Sequence, residues 1–131
     1  MFAGNYFELS PVYPDVPTED IEFFDPFAED SRFEWQQAPG YPEGEASELV
    51  LYEDNDGRRT SFLKLQPGVE TEEVLAHEYY EEVYIIGGGF IDKRLEAAFT
   101  AGMYACRTPG MEHGPYLAPV GALAIEFRYY E

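Results

Sequence analysis

The chain contains two histidines, His77 in the run AHEYYEE and His113 in TPGMEHGP. Imidazole is the commonest protein metal ligand, and a carboxylate follows the first of these four positions on, at Glu81. In extended chain, side chains alternate between faces, so His77 and Glu81 share one face and Glu82 takes the other. A second imidazole arriving from a later strand, His113, completes a set of two nitrogens and one carboxylate. Such a set suits Fe(II), Mn or Zn and leaves positions open for substrate, water or O₂. Taken singly, each histidine reads as a satisfied structural residue, and Glu81-Glu82 as a solvated acidic pair. The reading of a metal centre rests on the three together, with both histidines placed at strand ends or turns. Four other polar groups are expected to reach the same interior: Tyr84, Tyr104, Cys106 and Arg107. Arg107 can anchor a carboxylate or enolate by a bidentate contact, or pair with one of the many acids. Cys106 reads as a small buried hydrophobe, and Arg107, Tyr84 and Tyr104 as the residues that would work on a ligand. Gly87-Gly88-Gly89 lies between two apolar runs with no helix after it, which predicts a tight turn and not a phosphate cradle.

The elements that must position these residues are short. From Glu48 onward, apolar or alternating runs are separated by turn signals: ELVLY, DNDG, RRTSFLKLQ and PG. Asn55-Asp56-Gly57 tolerates positive φ, which predicts a hairpin joining Leu49–Tyr52 to Thr60–Leu65. Further strands are predicted at EVYII, GFID, LEAAF, GMYACR and ALAIEFRYY. In the last of these, Leu123, Ile125, Phe127 and Tyr129 alternate with Ala124, Glu126, Arg128 and Tyr130, so one set faces the core. Closely spaced strands predict an antiparallel sandwich or barrel.

Composition bounds what such a barrel does. With 131 residues, 45% of them hydrophobic, the chain suffices for one core. Its net charge of −18 repels phosphate backbones and anionic lipid, which excludes nucleic acid and membrane surfaces as partners. Residues 1–56 carry 15 acids against the single base Arg32, whereas residues 57–131 carry 11 acids and seven bases. The first part also holds Pro11, Pro14, Pro17, Pro26, Pro39 and Pro42 among large aromatics from Tyr6 to Trp35. An irregular, acidic, aromatic arm over residues 1–32 that packs on a domain spanning 33–131 is the expectation, with a short helix from Thr18 to Phe24. The apolar area of that arm, and the edges such sheets expose, lead us to expect a homodimer. A lone Cys106 and an N-terminus without a basic and apolar leader read as cytoplasmic.

The order Pro67-Gly68, His77, Glu81, Gly88, Phe90, then Gly102, Arg107, Pro109, Gly110, His113 and Pro115 resembles the two cupin motifs. In that superfamily, histidines and a glutamate on facing strands of a jelly-roll barrel bind one metal. Trp35, Leu51-Tyr52, Gly57 and Thr60 resemble the subgroup of ChrR-type anti-sigma-factor cupins and small cupin dioxygenases. The resemblance covers roughly residues 33–130. It implies an all-β, cupin-type antiparallel jelly roll, with His77, Glu81 and His113 holding Fe, Mn, Zn or Ni. It further implies action on a small aromatic or dicarbonyl molecule, with oxygenase chemistry first and isomerase or hydrolase chemistry as alternatives. The chain departs from the family at Leu75, where the first histidine of the HxH pair stands, and Glu73 shares the parity of that position. Loss of that ligand favours a rival reading, a metal-free cupin that binds a small ligand or a partner protein.

Overall fold

The computed structural model describes residues 20–31 and 33–131. Among the described residues there are nine strands and no helix: β1 (Gln36–Gln37), β2 (Ala46–Glu53), β3 (Arg59–Leu65), β4 (Val69–Glu70), β5 (Tyr80–Asp92), β6 (Ala97–Thr100), β7 (Tyr104–Arg107), β8 (Tyr116–Ala118) and β9 (Ala122–Tyr129). All pairings are antiparallel, and the strands run in the order β1-β2-β3-β9-β5-β8-β4, with β6 and β7 also paired to β5. The result is a curled jelly-roll barrel.

The hairpin β2–β3 forms around Asn55-Asp56-Gly57 as the turn chemistry predicts, with Asp54 Oδ1 accepting the amides of Asp56 and Arg58. The long β5 differs from the sequence reading. Gly87-Gly88-Gly89 does not end a strand but lies inside it, at a bulge between Ile85 and Gly87. Gly88 has φ of 63°, and a methyl there would run into the Gly121 carbonyl oxygen; one at Gly89 would run into that of Phe99. The glycines are thus explained by close backbone approach where β5 passes from β7 and β9 to β6 and β8.

The barrel interior is graded along its axis. One end is filled by Ala38, Ala46, Leu65, Val69, Ala118 and Ala122, with Tyr41, Leu63 and Phe90 packed on them. The other end is charged. On β9 the inward set is Ala124, Glu126 and Arg128, which line the cavity, while Leu123, Ile125, Phe127 and Tyr129 face outward. The bulkier set of the last strand is therefore not the core, because small and charged residues take the interior around a cavity.

The described part of the N-terminal arm, residues 20–31, is irregular, including Asp20–Phe24 of the expected helix; Thr18, Glu19 and Arg32 lie outside the described residues, and 33–35 carry no strand either. Phe27 sits 4.8 Å from the Phe62 ring and 6.1 Å from that of Trp35, and Lys64 Nζ lies 5.0 Å over the Trp35 ring. Leu49 and Phe62, opposite one another on β2 and β3, are both buried on the outer face that these aromatics cover.

Candidate metal centre

Glu81 is the hub of the charged end. It is 4% exposed and is flanked in register by Arg107 on β7 and Arg128 on β9, so both neighbouring strands place a guanidinium on its inward face. Arg107 Nη1 donates to Glu81 Oε1 at 3.1 Å, and Arg128 Nε lies 3.5 Å from Oε2. Arg107 Nη2 donates to the Tyr116 hydroxyl at 2.7 Å. Arg107 thus reaches the interior, where its partners are Glu81 and Tyr116.

His77 precedes β5, and its Nε2 lies 3.5 Å from Glu81 Oε1. Its Nδ1 is 3.0 Å from the Tyr79 carbonyl oxygen, which can only accept, so Nδ1 carries the proton. Nε2 is buried and without a hydrogen-bond partner. Tyr79 stacks on the His77 ring at 3.9 Å, and the Arg128 guanidinium lies 4.9 Å over its ring, so the His77 plane is held by packing. His113 arrives on the segment after β7, fixed by a two-way backbone bridge to Leu75 with N···O distances of 2.8 and 2.9 Å. Its Nδ1 faces the Met111 carbonyl at 3.4 Å, which again frees Nε2. Burial, and then the Arg107 charge, hold His113 down to about 4, so it is neutral at neutral pH as a metal ligand must be.

One ligand atom from each of His77, Glu81 and His113 falls within 4.8 Å of the others, and the two imidazole rings lie 5.0 Å apart. This donor set, two imidazoles and one carboxylate, fits a borderline divalent metal. The centre opens on a cavity of about 250 Å³ lined also by Glu48, Tyr41, Glu126 and Arg128.

Other predicted residues are not brought together here. Tyr84 and Tyr104 are opposite one another on β5 and β7 with their side chains outside the barrel, 45% and 59% exposed, and Tyr104 donates to outward Glu82. They correct the sequence reading. Cys106 is exposed, opposite Glu82 on the same outer face. Glu73 is exposed and outside the cluster, and Leu75 holds its place at the cavity rim without replacing the missing ligand. The charged residues that the sequence reading missed are Glu48, Arg59, Glu126 and Arg128. Arg59 Nη2 donates to Glu48 at 2.7 Å, and Glu126 is held up to about 7 by burial and then by the nearby Glu81 charge. The signal for Glu126 and Arg128 was the alternation of β9, in which they share parity with Ala124; Glu48 and Arg59 lie on β2 and β3.

A jelly-roll barrel with histidines and a glutamate converging in its mouth is the architecture of a cupin. The chain belongs to the ChrR cupin-like domain family, whose pattern matches residues 25–126. Similar folds include an RmlC-like cupin from Shewanella frigidimarina, 19% identical over 82% of this chain and 93% of that one, with a TM-score of 0.63. An acetylacetone dioxygenase from Acinetobacter johnsonii is 14% identical over 86% of this chain and 77% of that one, TM-score 0.62. The polyketide cyclase RemF from Streptomyces resistomycificus is 13% identical over 86% and 81%, TM-score 0.65. No match was found among curated proteins.

Proposed function

We propose that this protein is a metal-dependent cupin enzyme acting on a small aromatic or dicarbonyl molecule, with His77, Glu81 and His113 holding Fe, Mn, Zn or Ni. The observation that carries the reading is the convergence of two imidazoles and a buried carboxylate at one point of a cavity wall, with His77 Nε2 buried and unpaired. When bound, the metal would supply a Lewis-acid centre with open positions for a chelating oxygen ligand and for O₂ or water. The chain's own residues do the rest. Arg107, fixed by Glu81 and Tyr116, holds positive charge beside the centre, and Tyr116, accepting from Arg107, keeps its own proton to donate. Oxygenase chemistry is the first reaction class, supported by the likeness to the dioxygenase fold, with isomerisation or hydrolysis as alternatives on the same centre. The test is O₂ uptake by Fe(II)-loaded protein with 1,3-dicarbonyl and acyl-phenol compounds. Uptake dependent on both metal and compound supports the oxygenase assignment, and turnover of the compound without uptake moves it to the alternatives.

A second reading has its own observation. Both oxygens of Glu81 face guanidiniums, which neutralise the carboxylate without a metal, and Leu75 stands in place of a further histidine. On that reading the barrel binds a small ligand or a partner protein with no metal. A cytoplasmic homodimer completes the proposal: the outer face of β5, β7 and β9 exposes Tyr84, Tyr104 and Phe127, which a second copy would bury. Sedimentation equilibrium distinguishes dimer from monomer.

A further inference from the structure

A second cavity, of about 120 Å³, opens beside the first, between β6, β7 and the segment 108–114. Its outer wall is apolar, made by Leu95, Phe99, Met103 and Met111. Leu95, Met103 and Met111 are 57%, 45% and 47% exposed, so three flexible apolar side chains stand uncovered around one opening. The frame beneath them is fixed. Asp92, 2% exposed, accepts the amides of Arg94 and Leu95 with Oδ1 and that of Gly114 with Oδ2. Arg94 donates to the carbonyls of Gly114 and Glu112. These bonds tie the β5–β6 turn to the segment that carries Met111 and His113, so the opening is a built feature of the barrel.

The two cavities share Val83, Phe90, Arg107, His113 and Tyr116 as lining. Val83 and Phe90 make that shared floor apolar on one side, and Arg107, His113 and Tyr116 make it polar on the other, while the carboxylates Glu48, Glu81 and Glu126 line the first cavity and not the second. We propose that the cavity between β6, β7 and segment 108–114 is a subsite for the apolar part of an amphipathic small molecule. Its anionic or enolic oxygen head reaches Arg107 and Tyr116 at the floor shared with the candidate metal centre. This names the substrate class of the function proposed above and rests on that reading for where the head is processed. A cavity of this scale matches one phenyl ring or a short alkyl chain, since apolar protein cavities of about 150 Å³ take up benzene. Methionine at two wall positions supplies a soft lining that adapts to either.

The probes are the n-alkanoates from propanoate to hexanoate, with 3-phenylpropanoate, titrated into the full chain and followed by calorimetry and by ¹³C-methyl methionine spectra. The expected result is a Kd that tightens about fourfold for each added methylene until the cavity is full. The methyl signals of Met103 and Met111, assigned with Met103→Leu and Met111→Leu proteins, should move as the ligand is added. Leu95→Ser, a change at an exposed rim position, should reduce the gain per methylene without changing the fold. A Kd independent of chain length, unmoved methionine signals, or an absence of any binding overturns the proposal. Each titration is run on metal-free and metal-supplemented protein. Retained chain-length dependence in a protein that takes up no metal removes the metal reading and leaves the subsite standing. Metal uptake without chain-length dependence removes the subsite alone.

Discussion

Replacing Glu126 by glutamine should stabilise the metal-free protein at pH 8 and do so much less at pH 5. Glu126 lies inside the barrel at 8% exposure, opposite Ser61 on β3 and Val83 on β5, and none of the hydrogen bonds among the described residues reaches its carboxyl. Burial, then the Glu81 charge, raise it from 4.5 to about 7, against the opposing pull of Arg128 and Arg107. A carboxyl whose pKa is higher folded than unfolded makes the folded state bind more protons in that window, so stability falls as pH rises from about 4.5 to about 7. At about 1.4 kcal/mol per unit, the ionised form costs the fold on the order of 3 kcal/mol above pH 7. Glutamine keeps the shape and removes the charge, recovering most of that cost, which for a domain of this size corresponds to a rise in Tm of roughly 10 °C. Thermal melts of both proteins at pH 5 and pH 8, followed by far-UV circular dichroism, provide the assay. A Glu126→Gln protein no more stable than its parent at pH 8, or a difference that does not change with pH, refutes this account of the barrel interior.

Three further outcomes follow from the geometry. Compared as metal-free proteins, parent and His113→Gln should differ in that the variant loses part of the acid limb of the stability curve. His113 titrates near 4 folded and near 6.5 unfolded, so stability falls as pH drops through that window, and equal limbs in parent and variant would contradict its burial in the neutral form. Phe27→Ala should uncover Phe62 and cost about 1–2 kcal/mol in urea unfolding, with a change in Trp35 emission; an unchanged midpoint would show that the arm contributes nothing to the barrel. Gly88→Ala combines a positive φ with a collision against the Gly121 carbonyl and should cost about 3 kcal/mol or more, whereas a mild effect would mean that β5 and the turn before β9 are not packed as described.

Much of this molecule is legible in its sequence, for reasons that also explain the rest. Turn chemistry at Asn55-Asp56-Gly57 is local, so the β2–β3 hairpin follows from the residues alone. The His77, Glu81 and His113 set is legible from residue type and from the punctuation around His113. His77 lies before β5, with bends at Glu78 and Tyr79, and meets Glu81 through that bent segment; period two takes hold only within β5 itself. That same rule places Tyr84 and Tyr104 outside, since each is three residues from an inward partner, Glu81 and Arg107 respectively, and an odd separation changes face. Gly87-Gly88-Gly89 misleads because glycine's usual role as punctuation and its role at a close strand crossing have one composition and two geometries. The charged interior is harder still. Apolar bulk normally marks the core, but where β9 passes Glu81 the interior is a cavity lined by alanine and charged residues, while Leu123, Ile125 and Phe127 are left to the outer surface.

The central claim is that His77, Glu81 and His113 hold a divalent metal, and its most direct test is the metal content of untagged protein grown with supplemented Fe, Mn, Ni and Zn. Plasma mass spectrometry should find close to one equivalent of one of these metals in the parent and in Glu82→Gln, and loss of it in His77→Ala and His113→Ala, because a three-ligand site has no donor in reserve. A parent protein without metal, or a His113→Ala protein that keeps full occupancy, would contradict the account.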